Sequence, residues 1–356
     1  MIWKPKEKEL SLDQAIVLAK RELAPYWLGS EPLIAAFEKD SQLMAVPLSE
    51  KIQKKSWMLF LVDPTDFGTE LALSQAKRWV QRYGSPQFAF LLVVVPSYEF
   101  QKNPDTLPAL LDRLQAGFPA VLDHSRSLSE AFQVSEFPSV VLLEKGQKVS
   151  QSLARGDLSE LELELQNHLR KSDPGLALPP LSAPLSGVLR DSGRWELGFS
   201  PSFGSGAEFP DPGFEDQANG TRRGTFTFAQ SHANSSFWIE GSWTQTPQGI
   251  RTQDPHARIQ FISPGSQVAL IAASEASNSS PMIRIAVEVH GVSSFDAVAG
   301  EDLKMDDSGE FHLRITKPMK YHMLRHLRPG RRKVTLHFSQ LQGQAVTLYG
   351  LRFAEG

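Results

Sequence analysis

Paired carboxylates in one turn are the first feature of this sequence that could support catalysis. Asp63 and Asp66 flank Thr65 directly after the apolar run WMLFLV. Neighbouring carboxylates can differ in pKa and divide acid and base catalysis, but the same side chains also cap the N-termini of helices. The spacing favours N-capping. An enzyme of unrecognised chemistry that uses Asp63, Asp66 or His124 remains an open alternative.

A second cluster of carboxylates surrounds a turn that ends at Gly309. Carboxylate oxygens are hard ligands of the kind that bind Ca²⁺, although the spacing of an EF-hand is absent. An ordinary solvated turn is the default interpretation. The calcium candidates are Asp302, Asp306 and Asp307, with Glu301 next to them.

His322 and His326 lie four residues apart, which on a helix would place both imidazoles on one face for a metal ion. The surrounding pattern favours a strand, where that geometry is lost, so we predict no metal site here. The same stretch is basic, and it could contact an acidic glycan, a phosphate or a partner protein, or form a solvated hairpin. Its basic residues are Lys317, Lys320, Arg325, Arg328, Arg331, Arg332 and Lys333.

Thiol chemistry is excluded, because none of the 356 residues is a cysteine. The chain therefore has no thiolate nucleophile, no disulfide and no cysteine ligand for a metal. Its length fits two domains, and its 41% hydrophobic and 22% charged residues are typical of globular proteins. The formal net charge of -3 predicts no nucleic-acid partner. We expect no cofactor.

The N-terminal segment carries scattered charges and lacks the apolar core of a secretory signal. The strongest apolar run, FAFLLVVVP, is too short to cross a bilayer. We therefore expect no membrane span and a cytoplasmic location for the chain as given.

Apolar periodicity predicts an α/β arrangement in the first half. Short apolar runs bounded by turn residues indicate buried strands, and apolar residues three and four apart indicate helices. An opening helix is expected at Leu12–Leu23, followed by the order β-α-β-α-β-β-α. The predicted segments are 57–62, 71–83, 88–95, 107–114, 120–122, 127–132, 140–143, 148–153 and 158–169, the last with Asp157 as its N-cap.

The pattern of apolar residues changes after a proline-rich segment at residues 171–186, which we interpret as a semi-extended linker. Short alternating runs then predict an all-β sandwich or jelly roll. Its predicted strands are 225–229, 236–243, 257–262, 268–272, 283–289, 310–315, 333–338 and 346–353. The expected organisation is a helical extension at 1–39, an α/β domain at 40–170, the linker, and the β-sandwich at 187–356.

Two separated segments, LFLVDPTDFGTELALSQAKRW and VSEFPSVVLL, resemble the thioredoxin-like superfamily. The first is similar to the strand, the Cys-x-x-Cys turn and the helix of these proteins. The second is similar to their loop that ends in a cis-proline. The resemblance covers roughly residues 40 to 170 and implies a thioredoxin-like α/β domain.

This resemblance has two consequences for candidate sites. It implies that the positions of the Cys-x-x-Cys turn are occupied by residues without thiols, so the domain cannot perform thiol-disulfide exchange. It also implies that an extended peptide could dock against the cis-proline loop at Phe137 and Pro138. The degenerate slot comprises Pro64, Thr65, Asp66 and Phe67.

Five segments of the second half occur in the order WIEGSW, ISPGSQVALIA, EDLKMDDSG, YHML and TLYGLRF. In this order they resemble the carbohydrate-binding-module-like sandwich that follows the thioredoxin domain in DipZ-type thiol-disulfide interchange proteins. Aromatic rings can stack on sugars, although core packing is their commoner fate. Trp238 and Trp243 differ by five positions, so on a strand they face opposite sides. The candidate ligand-binding residues are Trp195, Trp238, Trp243, Tyr321, Arg325 and Tyr349.

The sequence thus favours a non-catalytic binding or scaffold protein with a redox-inactive thioredoxin-like domain and a ligand-binding β-sandwich. The expected partner is a carbohydrate, a peptide or another protein. A purely structural protein that assembles through sandwich edges and the basic hairpin is a further alternative.

Overall fold

A computed structural model of the chain describes residues 33–37, 43–47, 56–85, 88–103, 106–116, 120–124, 126–144, 147–154, 158–183, 190–198, 207–208, 214–217, 220–226, 237–274, 283–290, 299–325 and 332–355. The chain divides into two compact units, Met1–Val188 and Leu189–Gly356. The expected helix at Leu12–Leu23 lies outside the described residues. None of the helices within these ranges is long and apolar enough to cross a membrane.

The first unit is built on a seven-stranded sheet with the order β2-β1-β5-β4-β3-β6-β7. The strands β3, β4 and β5 run parallel, whereas β6 and β7 are antiparallel to their neighbours. The strands are β1 (Leu33–Phe37), β2 (Leu43–Pro47), β3 (Ser56–Val62), β4 (Phe88–Val94), β5 (Ala120–Leu122), β6 (Ser139–Glu144) and β7 (Gln147–Leu153).

Helices cover both faces of this sheet. Alternate residues of β3 point to opposite faces, so Phe60 packs in one core with Trp79 and Leu165, while Leu59 packs in a second core with Leu128. This double burial explains why β3 reads as a continuous apolar run. The helices are α1 (Gly68–Tyr83), α2 (Leu107–Leu114), α3 (Ser127–Ala131) and α4 (Ser159–Ser172), with a 3₁₀ turn at Glu99–Lys102.

This arrangement is a thioredoxin-like fold, and the peptide bond between Phe137 and Pro138 is cis, directly before β6. The structure also corrects two expectations. The hairpin of β1 and β2 was not predicted, and β1 lies within the range 1–39 that we expected to be a helical extension. Leu158, rather than Asp157, occupies the N-cap position of α4 and forms no side-chain cap.

The described part of the proline-rich segment after α4 has no regular secondary structure, but it contacts the rest of the first unit. Residues 178–183, which we call the strap, lie against α1 and α4. Leu178 packs on the core between these helices, and Ser182 donates its main-chain N–H and its hydroxyl to Glu162, both at 2.9 Å. Further hydrogen bonds run from Gln166 to the carbonyl of Pro179, from Arg82 to that of Pro180 and from Arg78 to that of Ala183.

The second unit consists of β-strands that pair into one 14-stranded sheet. All pairs within it are antiparallel apart from β8 with β9. The strands are β8 (Arg190–Glu196), β9 (Ala207–Glu208), β10 (Glu215–Asp216), β11 (Arg222–Phe226), β12 (Phe237–Gln245), β13 (Ile250–Thr252), β14 (Arg258–Ser263), β15 (Gln267–Ser274), β16 (Ile283–Val289), β17 (Leu303–Met305), β18 (Phe311–Ile315), β19 (Met319–Arg325), β20 (Arg332–Gln340) and β21 (Val346–Glu355).

The strand β12 joins the two halves of this sheet. Residues 237–240 pair with β14, and residues 241–245 pair with β11 and β13. The change of partner occurs at Gly241, whose φ of 91° is readily adopted only by glycine. The sheet therefore curls as a near-barrel around one core, where we had expected two separate layers.

Candidate functional site

The turn before α1, which carries the paired aspartates, is saturated with hydrogen bonds from its own chain. Asp63 is only 4% exposed. Its Oδ1 accepts hydrogen bonds from the N–H and the hydroxyl of Thr65, at 2.8 and 2.7 Å, and its Oδ2 accepts one from the hydroxyl of Ser97 at 2.5 Å. The carboxylate of Asp63 therefore organises the turn without accepting an N–H group of α1, whose N-cap residue is Phe67.

The degenerate slot and the cis-proline come together at the start of α1. Asp66 accepts a hydrogen bond from the N–H of Gly68 at 2.7 Å. A Cβ atom on Gly68 would lie 3.0 Å from Cδ of Pro138, so these two residues are in close contact. Gly68 follows the expected slot by one residue. Within the slot Pro64, Thr65 and Phe67 are buried, and Asp66 is partly exposed.

The remaining candidates of the first unit have structural partners. Phe137 is buried in the core on the α3 side, with the guanidinium of Arg126 5.9 Å from its ring centre. His124 is partly exposed and follows Asp123, whose carboxylate caps α3 through the N–H groups of Leu128 and Ser129. In the described part of the unit, no hydrogen bond joins His124 to Asp63 or Asp66.

Two of the aromatic candidates in the second unit lie in its core. Trp243 and Tyr321 are 2% and 3% exposed. Trp243 packs edge-on against Phe338 at 5.3 Å. The hydroxyl of Tyr321 donates to the carbonyl of Lys317 at 2.6 Å, and burial raises its pKa above the usual value. Core packing, which was the commoner alternative, therefore describes these two rings.

The other aromatic candidates and Arg325 lie on different strands. Trp195 packs edge-on against Phe353 at 4.9 Å. Trp238 is partly exposed on β12, on the face opposite to Trp243, as their spacing predicted. Tyr349 is partly exposed on β21, and Arg325 is exposed at the end of β19. These residues do not share a single strand or cross-strand row that would form one stacking platform.

The acidic residues near Gly309 serve separate turns. Oδ1 of Asp306 accepts hydrogen bonds from the hydroxyl and the N–H of Ser308, at 2.6 and 3.0 Å, and the hydroxyl contact lowers the pKa of Asp306 most strongly. Asp302 accepts the N–H of His322 at 2.6 Å, and Asp307 is exposed. Among the described residues no group of three or more acidic or histidine side chains could hold a metal ion.

The basic stretch does not form one exposed face in the part that the structure describes. Lys317 and Lys333 are exposed and Arg332 is partly exposed, but Lys320 is only 5% exposed on β19. His326, Arg328 and Arg331 lie outside the described residues, and so does the expected turn between them.

A groove on the outer surface of the second unit was not predicted. It has a volume of about 570 Å³ and is lined by residues of β10, β11, β12 and β13 and of the segment after β13. Its main feature is a row of side chains on neighbouring strands, in which each residue is the direct cross-strand partner of the next. The row runs from Glu215 through Arg223, Thr244 and Arg251 to Thr347.

A second, shorter row of hydroxyl groups lies beside the first. Thr225 and Ser242 are cross-strand partners, and their hydroxyl oxygens are 3.1 Å apart. Gln253 and Asp254 line the same groove. Phe226 and Trp243 also line the groove, but their side chains are buried in the core. The groove therefore presents mainly hydroxyl, amide and charged groups.

Sequence reasoning missed this groove because it depends on the register of four successive strands, β10 to β13, which no local pattern gives. Alternating polar residues in RRGTF and GSWTQ do place Arg223 and Thr244 on strand faces. Only the register, which pairs Arg223 with Thr244 and Thr244 with Arg251, brings them into one row.

The comparisons with known proteins concern each unit separately. A family model described as "Thioredoxin like C-terminal domain" matches residues 212–353, which include the strands β11 to β13 of the groove. The curated proteins contain no match.

Solved structures similar to this chain include thioredoxin-like proteins. A putative thioredoxin from Neisseria meningitidis is 17% identical, with 40% of this chain and 92% of that chain covered and a TM-score of 0.32. A putative thiol:disulfide interchange protein DsbE from Chlorobium tepidum is 16% identical, with 39% and 94% covered and a TM-score of 0.32. A family two carbohydrate esterase from Cellvibrio japonicus is 14% identical, with 38% and 34% covered and a TM-score of 0.26.

Proposed function

We propose that this chain is a non-catalytic binding protein, in which a redox-inactive thioredoxin-like unit serves as a scaffold and the β-unit binds a carbohydrate in its groove. The observation that carries the proposal is the start of α1. The cis-proline packs there on Gly68, but no residue of the chain is a cysteine. Thiol-disulfide exchange needs a thiolate, so this framework has no redox function.

The hydrogen bonds of the first unit support a scaffold. The carboxylate of Asp63 accepts three hydrogen bonds from its own chain, and the partly exposed Asp66 caps α1. A general acid or base needs an oxygen that can reach a substrate. Docking of an extended peptide at the loop of Phe137 and Pro138 needs only main-chain groups, so it belongs to this proposal as a second kind of contact.

The groove supports ligand binding by the second unit. We interpret the near-barrel as a variant of the jelly-roll sandwich found in DipZ-type proteins. Hydroxyl, amide and charged side chains are the groups that orient polar ligands in protein pockets. Thr225, Ser242 and Thr244 can exchange hydrogen bonds with sugar hydroxyls, because each hydroxyl group both donates and accepts.

Calorimetric titration of the full chain with a panel of oligosaccharides tests this function. We expect at least one saccharide to bind, and Thr225→Leu to weaken its binding at least tenfold because the larger apolar side chain fills the groove. Ser339→Leu, at an exposed position on β20 outside the groove, is the matched control and should bind like the unmodified chain. Absence of binding to every saccharide, or equal binding by the Thr225→Leu variant, would remove the proposed function.

A further inference from the structure

Two arginines on alternate strands flank the centre of the groove. Arg223 on β11 and Arg251 on β13 are each the direct cross-strand partner of Thr244 on β12. Direct partners project from the same face of a sheet, and two strand spacings of 4.7–4.9 Å place the two Cα atoms about 10 Å apart. The groove therefore holds two guanidinium groups with a hydroxyl between them.

Several arginines of this unit form ion pairs with acidic side chains, and Arg223 does not in the part that the structure describes. Arg223 is exposed and forms no ion pair or hydrogen bond within the described part of the chain. A planar guanidinium binds a carboxylate through two parallel hydrogen bonds, so an unpaired one at a groove is suited to such a group. The paired arginines are Arg222 with Asp216 at 3.2 Å, Arg258 with Glu240 at 3.4 Å and Arg352 with Glu196 at 2.9 Å.

The two acidic residues of the groove leave room for an anion. Both oxygens of Asp254 already accept main-chain N–H groups, from Ser242 and His256, each at 2.8 Å. Glu215 lies at the outer end of the row, beyond Arg223, and its carboxylate forms no ion pair with that arginine. Glu215 thus lies at the end of the row and Asp254 lies beside Ser242, whereas the middle of the row is made of Arg223, Thr244 and Arg251.

We infer that the ligand of the groove is an acidic saccharide, a sugar chain whose uronic-acid carboxylates bind Arg223 and Arg251. This inference rests on the proposed carbohydrate function and specifies its substrate class. The hydroxyls of Thr225, Ser242 and Thr244 match the hydroxyls of the sugar ring, which a simple inorganic anion lacks. The spacing of the arginines matches an extended ligand that carries more than one carboxylate.

The test is calorimetric titration of the full chain with an oligogalacturonate and with the same oligomer after methyl esterification. The two ligands share the same sugar chain, and esterification replaces each carboxylate with a neutral methyl ester. We expect the esterified oligomer to bind at least tenfold more weakly, and Arg223→Gln and Arg251→Gln each to weaken binding of the acidic oligomer about tenfold. Lys304→Gln removes one positive charge from an exposed site on β17, outside the groove, and should bind like the unmodified chain. Equal thermal midpoints for the three variants would show that each is folded.

The outcomes separate this inference from the proposed function. Equal binding of the acidic and esterified oligomers, or normal binding by Arg223→Gln, would overturn the inference and leave carbohydrate binding intact. Failure of the acidic, the esterified and every neutral saccharide to bind would overturn both. Inorganic phosphate that binds as tightly as the acidic oligomer would also overturn the inference, because the groove would then recognise charge alone.

Discussion

The two units use their polar side chains in opposite ways. In the thioredoxin-like unit Asp63 and Glu162 are buried, and the carboxylate of each accepts three hydrogen bonds from its own chain. In the groove of the β-unit Arg223 is exposed and has no partner among the described residues, and the hydroxyls of Thr225 and Ser242 contact mainly each other.

This difference separates the residues that stabilise the fold from those that are available to a ligand. A buried polar group that loses its partners is costly, so saturated networks are needed to keep a fold intact. A polar group on a concave surface can exchange water for a ligand at little cost to the fold. Substitutions in the saturated networks should therefore lower stability without changing ligand affinity, and substitutions in the groove should do the reverse.

Removal of the Glu162 carboxylate should have the largest effect on stability. Glu162 is 1% exposed and accepts hydrogen bonds from the hydroxyl of Tyr83 at 2.5 Å and from the N–H and the hydroxyl of Ser182. Glu162→Ala leaves these donors unsatisfied and releases the strap, so the free energy of unfolding of this unit should fall by about 3 kcal/mol. Urea denaturation followed by tryptophan fluorescence measures the change.

Glu160→Ala is the control, because Glu160 is exposed on the same helix. Its effect should stay within about 0.5 kcal/mol. A small loss in Glu162→Ala, or a change in ligand affinity, would contradict the view that this network serves only the fold.

The turn before α1 should respond next. Asp63→Ala leaves the N–H and the hydroxyl of Thr65 and the hydroxyl of Ser97 without their acceptor. We expect a loss of about 2 kcal/mol in the free energy of unfolding. Asp66→Asn, which keeps an oxygen for the N–H of Gly68, should lose less than half as much. Saccharide binding should be unchanged in both variants, and a lost affinity in either would favour the enzyme alternative.

The pH dependence of stability should reflect Glu162 and Tyr83. Burial alone would raise the pKa of Glu162, but the hydrogen bonds from Tyr83 and Ser182 outweigh it, and the pKa lies below its usual value. The stability that this carboxylate contributes is thus present above its unfolded pKa of about 4.3 and is lost as the pH falls through the lower folded pKa.

Tyr83 acts at the other end of the pH range. Burial and its hydrogen bond to Glu162 raise the pKa of Tyr83, so its contribution is present below about pH 10 and is lost as the pH rises through the higher folded pKa. The Tm should fall at both ends, by about 2–4 °C for each kcal/mol lost. Tyr83→Phe should flatten the alkaline decrease and Glu162→Gln the acid one, as scanning calorimetry would show. An unchanged profile in both variants would exclude this network as the cause.

Local sequence patterns predicted most elements of the first unit and missed several strands of the second. The helix at 107–114 and the strands at 120–122 and 283–289 have the bounds that periodicity predicted, because each is a single apolar stretch that one core buries. The strand β8, with the sequence RDSGRWE, was missed because its polar residues hide the alternation. The strap was taken for a linker because three of its hydrogen bonds are accepted by main-chain carbonyls, which do not affect side-chain periodicity.

Local sequence patterns were also insufficient to predict how the candidate sites are assembled. The contact of Pro138 with the start of α1 joins two segments far apart in the chain and was not predicted. The groove depends on strand register across β10 to β13, and register is set by the whole core rather than by any local pattern. Two of the predicted ligand-binding aromatics, Trp243 and Tyr321, lie in that core.

The smallest predicted effect concerns Tyr321, a sequence-based ligand candidate that the structure places in the core. Its hydroxyl donates to the carbonyl of Lys317 and accepts the N–H of Thr316 at 3.1 Å, so it holds the turn between β18 and β19. Tyr321→Phe keeps the ring and removes these bonds, and the free energy of unfolding of the β-unit should fall by about 1 kcal/mol. Affinity for the acidic saccharide should not change. A variant that keeps its stability and loses its ligand would show that Tyr321, and not the row of Arg223, Thr244 and Arg251, contacts the sugar.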